Sequence, residues 1–318
     1  MRPAKSACKR RAVVADLLVF AGGLELKNPM LAASGCFGYG LEADPVIPPS
    51  LFGGIVTKTI TPAPRRGNPV PRLAETHAGM LNSIGLENVG LDAFLADKLP
   101  ALEDVDSKIV VSVSAGSAGE FAEMAERLAE HARVDALELN LSCPNVAEHG
   151  RNFAADPAAV AAIGKAVRRV FARPMWIKLS PNVTDISEVA RAAQDAGADA
   201  VTAINTLLGM DINIDSGKSP FARVTAGLSG PAILPVALAA VWRIAREGGI
   251  PTIGVGGASS AKGLLKFLAA GAEAVQLGTV LFSDPGAPQR ILDDLATHLD
   301  AQGHTNLNSL REQWKEQA

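Results

Sequence analysis

The sequence predicts a (β/α)8 TIM barrel, in which eight parallel strands alternate with helices around a closed ring. Two observations carry this prediction. Short apolar runs alternate with segments of helical periodicity from Met30 onward, and eight such pairs fit the roughly 250 residues of one barrel. With 318 residues, 48% of them hydrophobic, the chain can build one large core. We expect an N-terminal extension over 1–22 and a single domain over 23–318, with an open doubly wound sheet as the alternative architecture.

The eight predicted strands are short and are bounded by turn residues. They are Met30–Ala33, Gly54–Lys58, Ile109–Val113, Ala136–Leu141, Met175–Leu179, Ala200–Ile204, Thr252–Val255 and Ala274–Leu277. Segments between them, such as Val160, Ile163 and Val167, space their apolar residues three and four apart, so one face packs on a sheet. We expect the tail, Ala287 to Ala318, to be one polar-faced helix.

Two connections are too long for plain loops. Thr59 to Leu102 follows the second strand and Asn205 to Gly230 follows the sixth, and both are rich in Gly, Pro and Asn. Long insertions at the carboxyl ends of barrel strands usually form lids or binding loops. The alternative is a pair of tolerated surface excursions.

Composition restricts the class of function. A net charge of −3 and a pI near 6.0 argue against a nucleic-acid partner. The three cysteines, Cys8, Cys36 and Cys143, suit neither a disulfide framework nor a Cys-x-x-Cys site, and they are too few for a four-cysteine iron–sulfur centre. The five histidines lack a metal-binding spacing, so we expect no metal on this chain.

The N-terminus has some features of a signal peptide, because basic residues precede the apolar run Ala12 to Ala21. Asp16 interrupts that run, and no convincing cleavage site follows it. No stretch approaches the eighteen uninterrupted apolar residues of a membrane span. We therefore expect a cytoplasmic protein that does not enter a membrane.

The stretch from Ala136 to Asn145 holds the most reactive group of the chain. An apolar strand ends there in Asn140, Cys143 and Asn145, and Pro144 prevents the strand from continuing. Ligands bind at the carboxyl ends of parallel strands, so the Cys143 thiol is a candidate catalytic group. The alternative is an inert structural cysteine.

Further polar groups occur at other predicted strand ends. Gly254 to Gly257 end the seventh strand and Gly278-Thr279 the eighth, where barrels commonly bind a phosphate, although both could be simple tight turns. Lys58 and Lys178 lie in apolar runs, which predicts an anionic ligand between them unless they reach solvent. Four asparagines accompany them and could bind a ligand with alternating N–H and C=O groups: Asn82, Asn140, Asn145 and Asn205.

Ordered motifs along nearly the whole chain resemble those of one family. They include Lys-Asn-Pro-Met-Leu-Ala-Ala-Ser-Gly-Cys-Phe-Gly at 27–38, Gly-Asn-Pro-x-Pro-Arg at 67–72, Gly-Met-Leu-Asn-Ser-Ile-Gly-Leu at 79–86, Asn-Leu-Ser-Cys-Pro-Asn at 140–145 and Lys-Leu-Ser-Pro-Asn-Val-Thr-Asp at 178–185. Further blocks are Ile-Asn-Thr at 204–206, Gly-Leu-Ser-Gly-Pro-Ala at 227–232, Gly-Val-Gly-Gly at 254–257 and Gly-Thr at 278–279. The chain resembles the class 1 dihydroorotate dehydrogenases, and within them the NAD-linked class 1B catalytic subunit.

This resemblance implies an FMN-binding barrel that oxidises dihydroorotate to orotate in pyrimidine biosynthesis. Cys143 would take the C5 proton while hydride passes from C6 to the flavin. The substrate-binding residues would be Lys58, Asn82, Ser83, Ile84, Gly85, Leu86, Asn140, Asn145, Asn205 and Thr206. The FMN-binding residues would be Ser34, Lys58, Thr59, Ser112, Asn140, Lys178, Ile204, Gly230, Gly256, Gly257, Gly278 and Thr279. Many members have asparagine where this chain has Ser112, which leaves that contact open.

Members of class 1B pass electrons to a separate subunit that carries FAD and a [2Fe-2S] cluster and reduces NAD⁺. The resemblance therefore implies a heterotetramer with two copies of each subunit, so that this chain also self-associates as a dimer, and an exposed apolar patch near the flavin. Three alternatives are a class 1A enzyme that uses fumarate, a dihydropyrimidine dehydrogenase-like flavin barrel, and a catalytically silent barrel.

Overall fold

The computed structural model describes residues 15–141 and 153–317. Its strands are β1 (Val19–Ala21), β2 (Leu24–Leu26), β3 (Met30–Ala32), β4 (Gly54–Val56), β5 (Leu73–Thr76), β6 (Gly79–Asn82), β7 (Lys108–Val113), β8 (Ala136–Asn140), β9 (Met175–Lys178), β10 (Ala200–Ala203), β11 (Leu207–Gly209), β12 (Ala226–Ser229), β13 (Thr252–Val255) and β14 (Ala274–Leu277). Its α-helices are α1 (Gly90–Ala93), α2 (Ala118–Ala129), α3 (Pro157–Arg168), α4 (Ile186–Asp195), α5 (Leu234–Arg243), α6 (Ala261–Ala269), α7 (Val280–Ser283), α8 (Ala287–Gln302) and α9 (Leu307–Gln317).

Eight parallel strands close into a barrel in the order β3-β4-β7-β8-β9-β10-β13-β14, with β14 paired back to β3. These are the eight strands expected from the sequence, so the predicted TIM barrel is confirmed. Most barrel-strand residues are buried, because helices cover the outer face and side chains fill the interior. This double burial explains why the strands appear in the sequence as continuous apolar runs.

Side-chain caps fix the starts of four outer helices. Ser117, Asp156, Asp185 and Ser260 each accept a hydrogen bond from a backbone N–H in the first turn of the helix that follows. Each cap satisfies a donor that the helix itself cannot pair. The helices therefore begin at defined residues, which fixes the lengths of the loops that reach the carboxyl ends of the strands.

A hairpin of β1 and β2 packs on the amino-terminal end of the barrel. Trp176 Nε1 donates to Gly22 O at 2.7 Å, and Gly22 N donates to a Glu273 carboxylate oxygen at 2.8 Å. A Cβ on Gly22 would lie 2.4 Å from Trp176 Nε1, so the turn accepts only glycine. The described part of the expected N-terminal extension thus takes part in the barrel's packing.

The two long connections form a second, antiparallel sheet above the barrel, in the order β11-β12-β6-β5. Strand β12 from the second connection pairs with β6 from the first, placing Gly227 opposite Asn82. Leu81, Phe221 and Ala226 form a small separate core beneath it. The sequence analysis expected long binding loops here and missed the sheet, because its pairing joins segments about half the chain apart.

The C-terminal tail forms two helices, so the expectation of one continuous helix was wrong. Gly303 has a φ of +78° and ends α8, and its N–H donates to Asp300 O at 3.1 Å. Glycine adopts this left-handed conformation without steric cost and is the usual residue after a helix end. None of the described helices is long and apolar enough to cross a membrane.

Candidate active site

A cavity of about 680 Å³ lies between the carboxyl ends of the barrel strands and the small antiparallel sheet. Its size falls within the usual range for small-molecule sites. Most of the residues predicted for the site line it: Ser34, Lys58, Thr59, Asn82, Ser83, Ile84, Gly85, Leu86, Asn140, Lys178, Ile204, Asn205, Thr206, Gly230, Gly256, Gly257, Gly278 and Thr279. Cys143 and Asn145 lie outside the described residues.

Two lysines bring positive charge to the cavity. Lys178, at the end of β9, is 6% exposed, and Lys58 follows β4. Burial lowers the pKa of the Lys58 amine, with Cys36 and Glu87 opposing that shift and Arg72 adding to it. In the described part of the chain, no carboxylate lies within 4.0 Å of Lys58 Nζ. An anionic ligand would offset the cost of burying this amine.

Cys36 also lines the cavity, between the ends of β3 and β14. Burial raises the pKa of its thiol, and the charges of Lys178 and Lys58 only partly oppose that effect. A thiol with a raised pKa is a poor base near neutral pH. This environment disfavours Cys36 as a base for proton transfer.

A chain of hydroxyl groups forms one wall of the cavity. Thr59 Oγ1 lies 3.1 Å from Ser34 Oγ and 2.9 Å from Ser112 Oγ, and it accepts a hydrogen bond from Asn140 Nδ2 at 3.2 Å. Ser112 itself is fully buried and lies behind Thr59, away from the cavity surface. Its hydroxyl is too short to reach past Thr59, so its contact with the site is indirect.

The segment 82–86 is held in an unusual backbone shape. Gly85 has a φ of +76°, and Leu86, at +55°, is the one non-glycine residue with positive φ among the described residues. A Cβ on Gly85 would lie 2.5 Å from Asn68 Oδ1, so the two segments are in close contact. Such strain persists only where surrounding contacts enforce it, and it is common in binding sites.

Arg72 and Asn68 supply those contacts. Asn68 Nδ2 donates to Ser83 O at 3.1 Å, and Arg72 Nε donates to Asn68 O at 2.6 Å. The Arg72 guanidinium also lies 2.5 Å from a Glu87 carboxylate oxygen. The Gly-Asn-Pro-x-Pro-Arg motif therefore acts as a brace behind the predicted substrate loop. Sequence reasoning used this motif only as a family marker.

The second long connection closes the opposite side. Asn82 Nδ2 donates to Gly227 O at 3.1 Å, which joins the two long connections at the cavity. Asn182 donates from Nδ2 to Thr206 O at 3.1 Å and accepts from Leu208 N at 3.0 Å. Asn182 lines the cavity but was not predicted as a site residue. Its position four residues after Lys178, beyond a strand end, was the available signal.

Glycines allow three loops to pack closely at one side of the cavity. Gly257 has a φ of +77°, and its Cβ position lies 2.7 Å from Gly230 O. Thr279 Oγ1 donates to Ser229 Oγ at 2.8 Å and links the end of β14 to the end of β12. Backbone at such close quarters lets N–H groups approach a phosphate directly. That this region binds a phosphate stays a prediction.

Glu138 is the charged residue that sequence reasoning missed. It is fully buried inside the barrel, on β8, and its carboxylate lies 3.5 Å from Lys178 Nζ. A glutamate flanked by leucines in a predicted buried strand was a visible signal, because charged residues are almost never fully buried without a partner.

The described residues include no group of three His, Cys, Asp or Glu side chains that could hold a metal.

Comparison with known proteins gives consistent matches. Residues 17–299 match the family model described as dihydroorotate dehydrogenase. Curated relatives called dihydroorotate dehydrogenase B (NAD(+)), catalytic subunit, include one from Pelobacter propionicus that is 47% identical over 93% of this chain and 97% of its own length. The relative from Solidesulfovibrio magneticus is 49% identical, again over 93% of this chain and 97% of the relative.

A solved structure has the same fold. The crystal structure of DHODH from Eimeria tenella, in complex with ferulenol, aligns with a TM-score of 0.76. The alignment covers 91% of this chain and 85% of that chain, at 23% identity. At this identity the likeness supports the barrel fold alone.

Proposed function

Because the chain belongs to the dihydroorotate dehydrogenase family, we propose that it is the catalytic subunit of an NAD-linked dihydroorotate dehydrogenase. It oxidises (S)-dihydroorotate to orotate in the biosynthesis of UMP. The observation that carries the proposal is the cavity itself, where two lysines, five described asparagines and three glycine loops converge from separate strands. Separate parts of a 318-residue chain thus supply charge, amide groups and open backbone to one site.

The residues around the cavity fit FMN as the cofactor. Gly230, Gly256, Gly257, Gly278 and Thr279 would hold the phosphate end, where these loops pack so closely that a Cβ at Gly257 would lie 2.7 Å from Gly230 O. Ser34, Thr59, Asn140, Lys178 and Ile204 would contact the rest, with Ser112 supporting Thr59 from behind. Bound FMN supplies the acceptor for the hydride that leaves C6 of the substrate.

Dihydroorotate would lie against the segment 82–86, Lys58 and the asparagines. Its ring has alternating N–H and C=O groups, which amide side chains can pair because each one both donates and accepts. Its carboxylate would meet the Lys58 amine, whose burial calls for an anion. The brace formed by Arg72 and Asn68 keeps the loop in place before substrate arrives, which reduces the entropic cost of binding.

Proton transfer at C5 is assigned to Cys143, with Asn145 as a further substrate contact. Leu141, the last described residue before both in the chain, directly follows β8 at the end of the barrel where the cavity lies. A thiolate whose pKa is tuned toward neutrality is a competent general base. Cys36, which lines the cavity, is disfavoured for this role because burial raises the pKa of its thiol.

Electrons would leave through a partner subunit that carries FAD and a [2Fe-2S] cluster and reduces NAD⁺. Exposed apolar side chains around the cavity mouth support a protein partner there: Leu73 is 53% exposed, Leu208 67% and Phe282 54%, and all three line the cavity. Clusters of exposed apolar residues often mark interaction sites. We propose a heterotetramer of two subunits of each kind, and therefore a dimer of this chain.

We also propose one FMN-binding domain over 23–318, an N-terminal extension over 1–22, and a cytoplasmic location.

The proposed function is tested by expressing the chain with and without a candidate FAD/[2Fe-2S] subunit and following NADH formation from dihydroorotate and NAD⁺. We expect NADH only with the partner, whereas the chain alone should pass electrons to an artificial dye. Full NAD⁺ reduction by the chain alone would contradict the partner, and efficient fumarate reduction would indicate a class 1A enzyme.

A further inference from the structure

Four polar side chains form a closed cluster inside the barrel, directly below the cavity. Besides the contact with Lys178, Glu138 accepts a hydrogen bond from Thr202 Oγ1 at 2.9 Å and another from Gln276 Nε2 at 2.8 Å. Glu138, Thr202 and Gln276 are all fully buried. Strands β8, β9, β10 and β14 each contribute one member, so the cluster spans half of the ring.

The contacts define the chemical state that the cluster stabilises. Lys178, Thr202 and Gln276 all direct donors at Glu138, and such an arrangement suits a carboxylate, which only accepts. Gln276 Oε1 has no hydrogen-bond partner among the described residues although it is buried. The Gln276 amide thus donates to Glu138 while its own oxygen stays unpaired. This orientation indicates that a negative charge dominates the cluster.

The members differ in their access to the cavity. Lys178 lines it, whereas Glu138, Thr202 and Gln276 lie beneath and do not. A ligand over the barrel end would therefore meet the Lys178 ammonium first, with the balancing carboxylate behind it. Inside a protein of low effective dielectric, a charge one layer away from a ligand still contributes strongly to its energy.

We propose that Glu138 is a positioning residue, which anchors the Lys178 ammonium against the flavin and offsets its charge, and thereby sets the reduction potential of the bound cofactor. The proposal rests on the proposed function, because it requires FMN next to Lys178. The pair presents an oriented dipole in place of a full positive charge. Without Glu138 the site would favour the anionic reduced flavin more strongly, and without Lys178 it would disfavour it.

The test is the midpoint potential of FMN bound to the full chain, measured anaerobically against reference dyes. Glu138→Gln keeps the size of the side chain and removes its charge, so the potential should rise. Lys178→Gln should lower it. We expect each change to alter the relative affinity for reduced and oxidised FMN at least tenfold, which for a two-electron couple is about 30 mV.

Asp135→Asn is the matched control. Asp135 precedes the same strand, at the opposite end of the barrel, and its carboxylate also pairs with two cations, Lys108 at 3.1 Å and Arg133 at 2.9 Å. Its removal should lower the melting temperature and leave the potential unchanged. If Glu138 had a purely structural role, Glu138→Gln would also lower the melting temperature and leave the midpoint potential unchanged. A midpoint potential of Glu138→Gln that falls or stays unchanged would therefore overturn the proposal.

A second comparison covers the case in which Glu138→Gln does not fold. The double variant Glu138→Gln/Lys178→Gln replaces the pair with two neutral amides, a change that buried ion pairs often tolerate. Its potential should lie above that of Lys178→Gln, because the unbalanced carboxylate is gone, and equal potentials would refute the proposal. A wild-type chain that binds no FMN would instead refute the proposed function.

Discussion

Replacing Gly257 by alanine tests whether the loops at Gly230 and Gly257 hold the phosphate of FMN. The geometry gives an expected size for the effect of this substitution on FMN binding. Gly257 has a φ of +77°, which costs alanine about 1 kcal/mol. Its Cβ would also lie 2.7 Å from Gly230 O and 2.9 Å from Leu234 N. Both are backbone atoms, so the loop after β13 or the turn that begins at Gly230 must move.

Such a displacement should weaken FMN binding more than it weakens the fold. Loss of one charge-assisted hydrogen bond to a phosphate costs about 1.5–3 kcal/mol, which is roughly a 10- to 150-fold loss of affinity. Equilibrium titration of the FMN-free chain with FMN measures the affinity, and thermal unfolding measures stability.

Gly217→Ala provides the matched control. Gly217 has a similar φ of +65° but no atom within 4 Å of its Cβ position, and it lies in an exposed loop. This variant should carry the same backbone cost and bind FMN like the wild type. If Gly257→Ala keeps the wild-type affinity for FMN, or if both variants lose this affinity equally, the proposal that the loop at Gly257 holds the FMN phosphate is refuted.

Three further predictions concern the substrate side of the cavity. Cys143→Ala should still bind FMN and orotate but lose about 10²–10⁴-fold in the rate of dihydroorotate oxidation at neutral pH; an unchanged stopped-flow rate would place the base elsewhere. Lys58→Met should raise the melting temperature of the FMN-free chain at pH 7, because burial lowers the pKa of Lys58 and folding therefore opposes its charged form. The gain in melting temperature of Lys58→Met over the wild type should shrink as the pH rises through the folded pKa of Lys58, and it should level off above the ordinary lysine value of 10.5. A gain that does not change with pH would contradict this prediction. Orotate binding should weaken in the same variant. Arg72→Gln should raise KM for dihydroorotate at least tenfold by releasing the brace, whereas Arg127→Gln, which breaks an exposed pair with Asp92, should leave KM unchanged; equal KM values for the two variants would argue against the brace.

The barrel could be predicted because its signals are local. Each strand is buried on both faces and so appears as a short apolar run, and each helix shows its own periodicity. The small antiparallel sheet lacks such signals. Strand β5, from Leu73 to Thr76, is largely exposed, and β6 pairs with β12 although four barrel strands lie between them in the chain. The break between α8 and α9 had a local signal in Gly303, which the sequence analysis did not use.

The candidate site could be predicted to the extent that strand ends meet at one edge of the barrel. Lys58, Asn140 and Lys178 follow this rule and lie together as expected. Ser112 faces the same wall but lies behind Thr59. Sequence reasoning could not predict this, because the strand pattern does not show how deep along a strand a side chain lies. Glu138 was missed for a related reason: the side chains that pair with its carboxylate come from three other strands.

The visible absorbance spectrum of the purified, FMN-supplemented chain, recorded before and after anaerobic addition of dihydroorotate, tests the cofactor and the substrate together. We expect flavin bands that bleach when dihydroorotate is added and that do not bleach with orotate, the control. Flavin bands that ignore dihydroorotate would keep the cofactor but contradict the substrate. A folded chain that binds no flavin would contradict the central claim.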